Sequence, residues 1–139
     1  MRLISHRANI SGPDPKTENH PDQILKVLNK GIDCEIDVWR IDGNFYTGHH
    51  QPIYDIDWKF LCKPNLWIHA KNLEALTYLP NYVCFFWHQN DDYTLISNNL
   101  IWTFPNKKVC DKSIIVHKDQ DWKEKNYKCY GVCTDYPLY

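Results

Sequence analysis

The run IDCEIDVWRI, residues 32–41, constrains the fold more than any other part of the chain. It alternates with a period of two, so an extended backbone sends Cys34, Ile36, Val38 and Arg40 to one face and Asp33, Glu35, Asp37 and Trp39 to the other. The simplest reading is a strand. On its acidic face Glu35 and Asp37 stand about 7 Å apart along the chain, a geometry that repels unless a cation or a proton sits between them. Two carboxylates on one face make half of a Mg²⁺ or Ca²⁺ site; the same alternation also fits the solvated polar face of an edge strand.

The neighbouring segments have clear local preferences. Asp42-Gly43 is a strong turn dipeptide and returns NFYTGHH as the second arm of a hairpin. Upstream, HPDQILKVLNKG places Ile24, Leu25 and Leu28 on one helical face, with Pro21 near the start and Gly31 just past the end. A first strand ends at His6. Downstream, LWIHA and YVCFFW read as strands around a short helix, NLEALTYL, and LIWTF, SIIVH and YGVCTDYP read as strands with little room for helices between them. The aromatic group Phe85, Phe86 and Trp87 fits a core better than a stacking platform. Strand and helix alternating in the first half predict parallel βαβ units. In such folds polar residues at the C-terminal strand ends face the ligand, and His6, His69 and Asp135 fall there.

Length and charge narrow the function classes. A chain of 139 residues, 43% hydrophobic and 14% aromatic, predicts one domain over residues 1–139. With 16 basic and 17 acidic residues and no long Lys/Arg run, a broad nucleic-acid-binding face is not expected. Neither a long apolar span nor a secretory leader is legible, which predicts no membrane span and a cytoplasmic location. Cys129 and Cys133 lack a second metal-binding pair, so the 6 cysteines read as small buried side chains or unreacted thiols.

Several residues suit phosphate chemistry. His6 and His49 each end a strand-like run; two imidazoles brought together can act as acid and base in one displacement, whereas either alone suits a structural hydrogen bond. Arg7 has the planar fork for a phosphate, or a partner in Glu18. His69 and Lys71 share a strand face, where His69 can complete a metal site and Lys71 can neutralise phosphate charge; a polar rim above the core is the plainer reading.

The ordered set H-R, T-E-N, E-x-D, the D-G hairpin, G-H-H, H-x-K-N and T-D-Y-P resembles the glycerophosphodiester phosphodiesterase family, within the phosphatidylinositol-phospholipase-C-like barrels. The resemblance runs from His6 to Pro137 and is strongest through Lys71. It implies catalytic roles for His6 and His49, substrate-phosphate binding by Arg7 and Lys71, and metal binding by Glu35 and Asp37. Glu18 and Asn19 match the family's E-N-T segment, with His20 in place of the threonine. The chain departs from the pattern in three further ways. His50 stands where the family has aspartate, His69 stands where a carboxylate usually completes the metal site, and the chain is far shorter than the roughly 250 residues of an ordinary eight-fold barrel.

The expected fold is therefore α/β, a reduced TIM-type (β/α) barrel with several outer helices shortened or missing. The expected function is hydrolysis of a small-molecule phosphodiester with one divalent ion on Glu35, Asp37 and His69, with Mg²⁺ first and Mn²⁺ or Ca²⁺ as alternatives. Uncovered flanks would be closed by self-association into a homo-oligomer or by Trp58, Trp102 and Trp122. The competing class is a catalytically degenerate barrel that binds a phosphorylated ligand or a protein partner. Two proton-transfer groups favour the enzyme, because binding alone does not need them.

Overall fold

The computed structural model describes residues 1–139. In chain order the elements are β1 (Arg2–His6), α1 (Pro21–Asn29), β2 (Asp33–Ile41), β3 (Asn44–Thr47), β4 (Tyr54–Ile56), α2 (Trp58–Leu61) and β5 (Leu66–Ala70). They continue with α3 (Leu73–Tyr78), β6 (Phe85–Phe86), β7 (Tyr93–Leu95), β8 (Ile101–Thr103), β9 (Ser113–His117), a 3₁₀ turn at Gln120–Lys123 and β10 (Gly131–Thr134). The helix α1 starts on Pro21 with the His20 ring accepting from the Asp22 N–H, and Gly31 beyond its end takes φ +75°.

Strand β2 organises the sheet. It pairs in parallel with β1 and with β5, and its far end turns back at Asp42-Gly43 to pair antiparallel with β3. Along the other direction β1 pairs in parallel with β10, β10 with β9 and β9 with β8. The alternation of β2 then decides which side is which. Cys34, Ile36 and Val38 are fully buried against Ile24 and Val27 of α1 and Ala75 of α3, on the outer face. The inner face carries an apolar floor of Ile4, Trp67, Phe86, Ile96, Trp102, Ile114, Val116 and Cys133. Phe86 of β6 and Trp102 of β8 sit at opposite ends of the parallel strands, yet their rings stack with centroids 4.4 Å apart. The sheet therefore curls until its two ends meet through side chains.

The expected reduced TIM-type (β/α) barrel is not what forms. Strand accounts for 31% of the residues and helix, the 3₁₀ turn included, for 17%, in a curled, mixed half-barrel with 3 α-helices and no sustained β/α alternation. All of them precede Pro80. The cause is connection length and pairing: a parallel crossover that carries a helix takes about a dozen residues or more, Thr103 to Ser113 leaves fewer, and Leu95 to Ile101 joins an antiparallel pair that needs no crossover. The longest late connection, His117 to Gly131, holds one apolar anchor instead of an amphipathic stripe, and it folds around the 3₁₀ turn. Trp122 on that turn packs on Ile115 and Val132 and donates from Nε1 to the Tyr136 carbonyl at 2.9 Å. It covers an outer flank that a helix would otherwise cover. Trp58 packs on the outer core as well, whereas Trp102 faces inward and belongs to the floor. No helix is long and apolar enough to cross a membrane.

Replacing Trp122 with alanine should uncover Ile115 and Val132 and lower stability by about 3 kcal/mol. Urea denaturation followed by circular dichroism checks this, with Trp87→Ala as the comparison at a residue 38% exposed, where the loss should stay under about 1 kcal/mol.

Candidate active site

Strand register brings the polar residues together. His6 lies opposite Glu35 across the β1–β2 pair, and Asp37 lies opposite His69 across the β2–β5 pair, all on the inner face. Lys71 follows β5 and donates its backbone N–H to the Val38 carbonyl. His49 arrives from the end of the β2–β3 hairpin, where Gly48 holds φ +152° and a Cβ would lie 2.0 Å from the Gln51 carbonyl oxygen. Only glycine fits that bend. All seven residues singled out from the sequence, His6, Arg7, Glu35, Asp37, His49, His69 and Lys71, line one cavity of 250 Å³.

Asp37 is the hub. It is 1% exposed; Oδ2 receives a hydrogen bond from Asn19 Nδ2 at 2.9 Å, and His49 Nδ1 lies 3.3 Å away. Asn19 also accepts from the Asp37 backbone N–H at 2.9 Å, and its own carbonyl accepts from Thr47 Oγ1 at 2.6 Å. Arg7 Nε stands 3.7 Å from Oδ2 and Lys71 Nζ 3.9 Å from Oδ1. Burial favours the neutral acid, and the hydrogen bonds and positive charge from His49, His69 and Arg7 outweigh it, so the Asp37 carboxyl is held well below its ordinary 3.8. Glu35 goes the other way. Burial, then the charge of Asp37, pushes its carboxyl well above the ordinary 4.5.

The two strand-end histidines are anchored alike. Asp135 Oδ1 lies 2.8 Å from His6 Nδ1 and accepts a second hydrogen bond from Asn9 Nδ2 at 2.8 Å. A carboxylate can only accept, so Nδ1 carries the proton on His6 as it does on His49 beside Asp37. His49 Nε2 has no protein partner and His6 Nε2 lies 3.8 Å from Glu35 Oε2, beyond hydrogen-bond distance, so both are left for chemistry. Arg7 and Ala8, which leave β1, have φ of 54° and 66°. Non-glycine residues adopt this region at some cost, and here the turn directs the Arg7 N–H to Glu35 Oε2 at 3.2 Å. The Arg7 guanidinium also reaches Glu18 at 3.7 Å.

The donor set suits a divalent cation. Ligand atoms of Glu35, Asp37 and His69 lie within 4.8 Å of one another. His69 Nε2 must donate to the His88 carbonyl, 2.9 Å away, so Nδ1 turns toward Asp37 Oδ1 at 3.2 Å. In the neutral ring that is a lone pair facing a carboxylate. Asp37 Oδ1 is buried with no other hydrogen-bond partner, so a second proton on the His69 ring, or a cation between the two, would satisfy both atoms. The cluster of His117, Asp119 and Asp121 is different: His117 already bonds Tyr127 and Asp121, at 2.8 and 2.7 Å, and Asp121 meets Lys125.

Sequence reasoning did not give roles to Asn19, Asn9, His88 or Asp135, although Asp135 was visible as a polar strand end and Asn19 as part of T-E-N. Their partners are distant in sequence, and no local pattern reports such contacts. His50 is exposed and meets His49 edge to face at 4.4 Å, away from the metal-ligand cluster. Compared with protein-family models, with characterised proteins and with solved structures, the chain matches none.

Burial raises the Asp135 carboxyl, but the hydrogen bond and charge of His6 outweigh it and hold the group below 3.8. Its contribution to stability is therefore full above the ordinary Asp range and lost as pH falls through the lowered value. Asp135→Asn should lower the urea midpoint clearly at pH 6 and by much less near pH 2; an equal deficit at both pH values would show that the ionised carboxylate contributes nothing.

Proposed function

We propose that this protein is a metal-dependent phosphodiester hydrolase of the glycerophosphodiester phosphodiesterase type, acting on small glycerophosphodiester-like substrates by two-histidine acid/base catalysis. One observation carries the reading. His6 and His49, each anchored through Nδ1 by a buried carboxylate, share a cavity with the Glu35, Asp37 and His69 cluster and with Arg7 and Lys71. A structural histidine needs its carboxylate, but nothing structural requires two free Nε2 atoms beside three cation ligands.

A divalent ion held by Glu35, Asp37 and His69, with Mg²⁺ the first expectation and Mn²⁺ or Ca²⁺ as alternatives, supplies positive charge for the non-bridging phosphate oxygens when bound. Arg7 offers its guanidinium and Lys71 its ammonium to the same oxygens, where negative charge grows in the transition state. His6 Nε2 takes a proton from the attacking water as its oxygen bonds to phosphorus. The ester bond to the alcohol then breaks, and doubly protonated His49 gives its Nε2 proton to the leaving oxygen. A phosphomonoester and an alcohol result. Asp135 and Asp37 keep both rings in the tautomer that this exchange needs.

Incubation with glycerophosphodiesters and bis(p-nitrophenyl) phosphate, with added metal or with chelator, tests the reading. Turnover should require metal, and His6→Ala and His49→Ala should each lower kcat by about 10²–10⁴-fold while still unfolding cooperatively, at a midpoint lowered by the loss of the partner of Asp135 or Asp37. Wild-type rates in both variants would overturn the assigned roles. Metal and phosphate binding without hydrolysis of any diester would favour the ligand-binding class.

His69 gives a separate check. An imidazole ligand favours Mn²⁺ over the oxygen-seeking Mg²⁺ and Ca²⁺, so His69→Glu should raise Mg²⁺ and Ca²⁺ affinity relative to Mn²⁺, by about tenfold or more. Metal titration by calorimetry reads the ratio, and an unchanged ratio places His69 outside the ion's ligands.

A further inference from the structure

The wall of the cavity contributed by the second half of the chain takes no part in the chemistry above. It carries His88, Gln89 and Lys118 beside the apolar surface of Phe104 and Pro105. His88 Nε2 must donate to the Asp91 carbonyl, 2.8 Å away, which leaves Nδ1 as an acceptor with no protein partner. The His88 ring lies nearly parallel to Phe104, at 25° and 5.9 Å, so the acceptor is carried on a fixed aromatic face. Gln89 and Lys118 are exposed and make no hydrogen bond or ion pair through their side chains. One acceptor, one amide and one ammonium are thus free on a single wall.

We propose that this wall is the subsite for the leaving alcohol of the substrate, and that it selects a polyhydroxylated ring alcohol such as inositol over a quaternary ammonium alcohol such as choline. The inference rests on the phosphodiesterase reading. Hydroxyl groups both donate and accept, so they can bond His88 Nδ1, the Gln89 amide and Lys118 Nζ together, while C–H faces of the polyol lie on Phe104. A trimethylammonium group can do none of the bonding and is repelled by Lys118. Of the two carboxylates that line the cavity, Asp37 faces Arg7 and Lys71 and Glu35 is held by the Arg7 N–H, so neither is free to compensate for it. Choline recognition uses an aromatic cage without a competing cation, and Lys118 removes that condition here.

The test compares kcat/KM for glycerophosphoinositol and glycerophosphocholine, together with calorimetric affinities for inositol 1-phosphate and phosphocholine, in wild type, His88→Phe and Lys118→Glu. Wild type should favour the inositol compounds in both measurements. His88→Phe keeps the ring stack and removes the acceptor, and it should reduce the preference by about tenfold. Lys118→Glu, at an exposed position, should narrow it by about threefold by improving the choline compounds. Turnover of both diesters at equal kcat/KM, with neither variant moving the ratio, overturns the polyol subsite and leaves the hydrolase reading standing. Tighter binding of inositol 1-phosphate that is lost in both variants, with no hydrolysis of either diester, supports the subsite and overturns the hydrolase reading instead.

Discussion

A carboxylate that is 1% exposed has given up its water, and the protein must replace that hydration with donors and positive charge or leave the group neutral. Asp37 is met by the Asn19 amide, His49, His69, Arg7 and Lys71, and nearly every unusual feature around the cavity follows from assembling them. Asn19 itself sits at φ 60°, and the Thr47 hydroxyl pins its carbonyl. Gly48 makes the bend that delivers His49. Breaking any one of these contacts leaves a buried charge short of a partner, which is more costly than losing an exposed ion pair.

The half-barrel makes this arrangement compatible with a short chain. Its concave face needs only enough curl for Phe86 and Trp102 to stack, and the apolar floor beneath the cavity then keeps the dielectric low on one side. Low dielectric strengthens the fields of Arg7, Lys71 and the buried carboxylates on any charged group that enters the cavity. Outer helices are dispensable for that purpose. Where α1 and α3 cover the outer face of β2 and β5, the later strands use Trp122 and its neighbours, so the flank is sealed with a few large side chains instead of an extra helix.

Much of the local structure was legible in the sequence. The two-residue period of residues 32–41 gave the strand and both of its faces, Asp42-Gly43 gave the hairpin, and the Pro21 and Gly31 punctuation gave α1. These are effects of neighbouring residues. The segment YVCFFW, by contrast, shrank to the two residues of β6, and Tyr93–Leu95 became a strand that no pattern announced. Short strands depend on cross-strand packing more than on intrinsic preference, so a single sequence reports them poorly. The barrel expectation failed because it extended the βαβ rhythm of the first half over connections too short to hold helices.

The sequence by itself determined which side chains were available and which face of each strand they share: Glu35 with Asp37, His69 with Lys71, and His6 at a strand end. Only the tertiary structure decided that His6 would lie opposite Glu35 and His69 opposite Asp37, because register between strands is a long-range choice that local alternation leaves open. The same holds for the protonation pattern. Asp37 and Glu35 differ by one methylene and share a strand, yet one is held acidic and the other is pushed toward the neutral acid. Asn19, His49 and His69 converge on Asp37, whereas Glu35 receives chiefly the Arg7 N–H and the repulsion of its neighbour. Burial and the placement of distant charges set those states, and both exist only after the chain has folded.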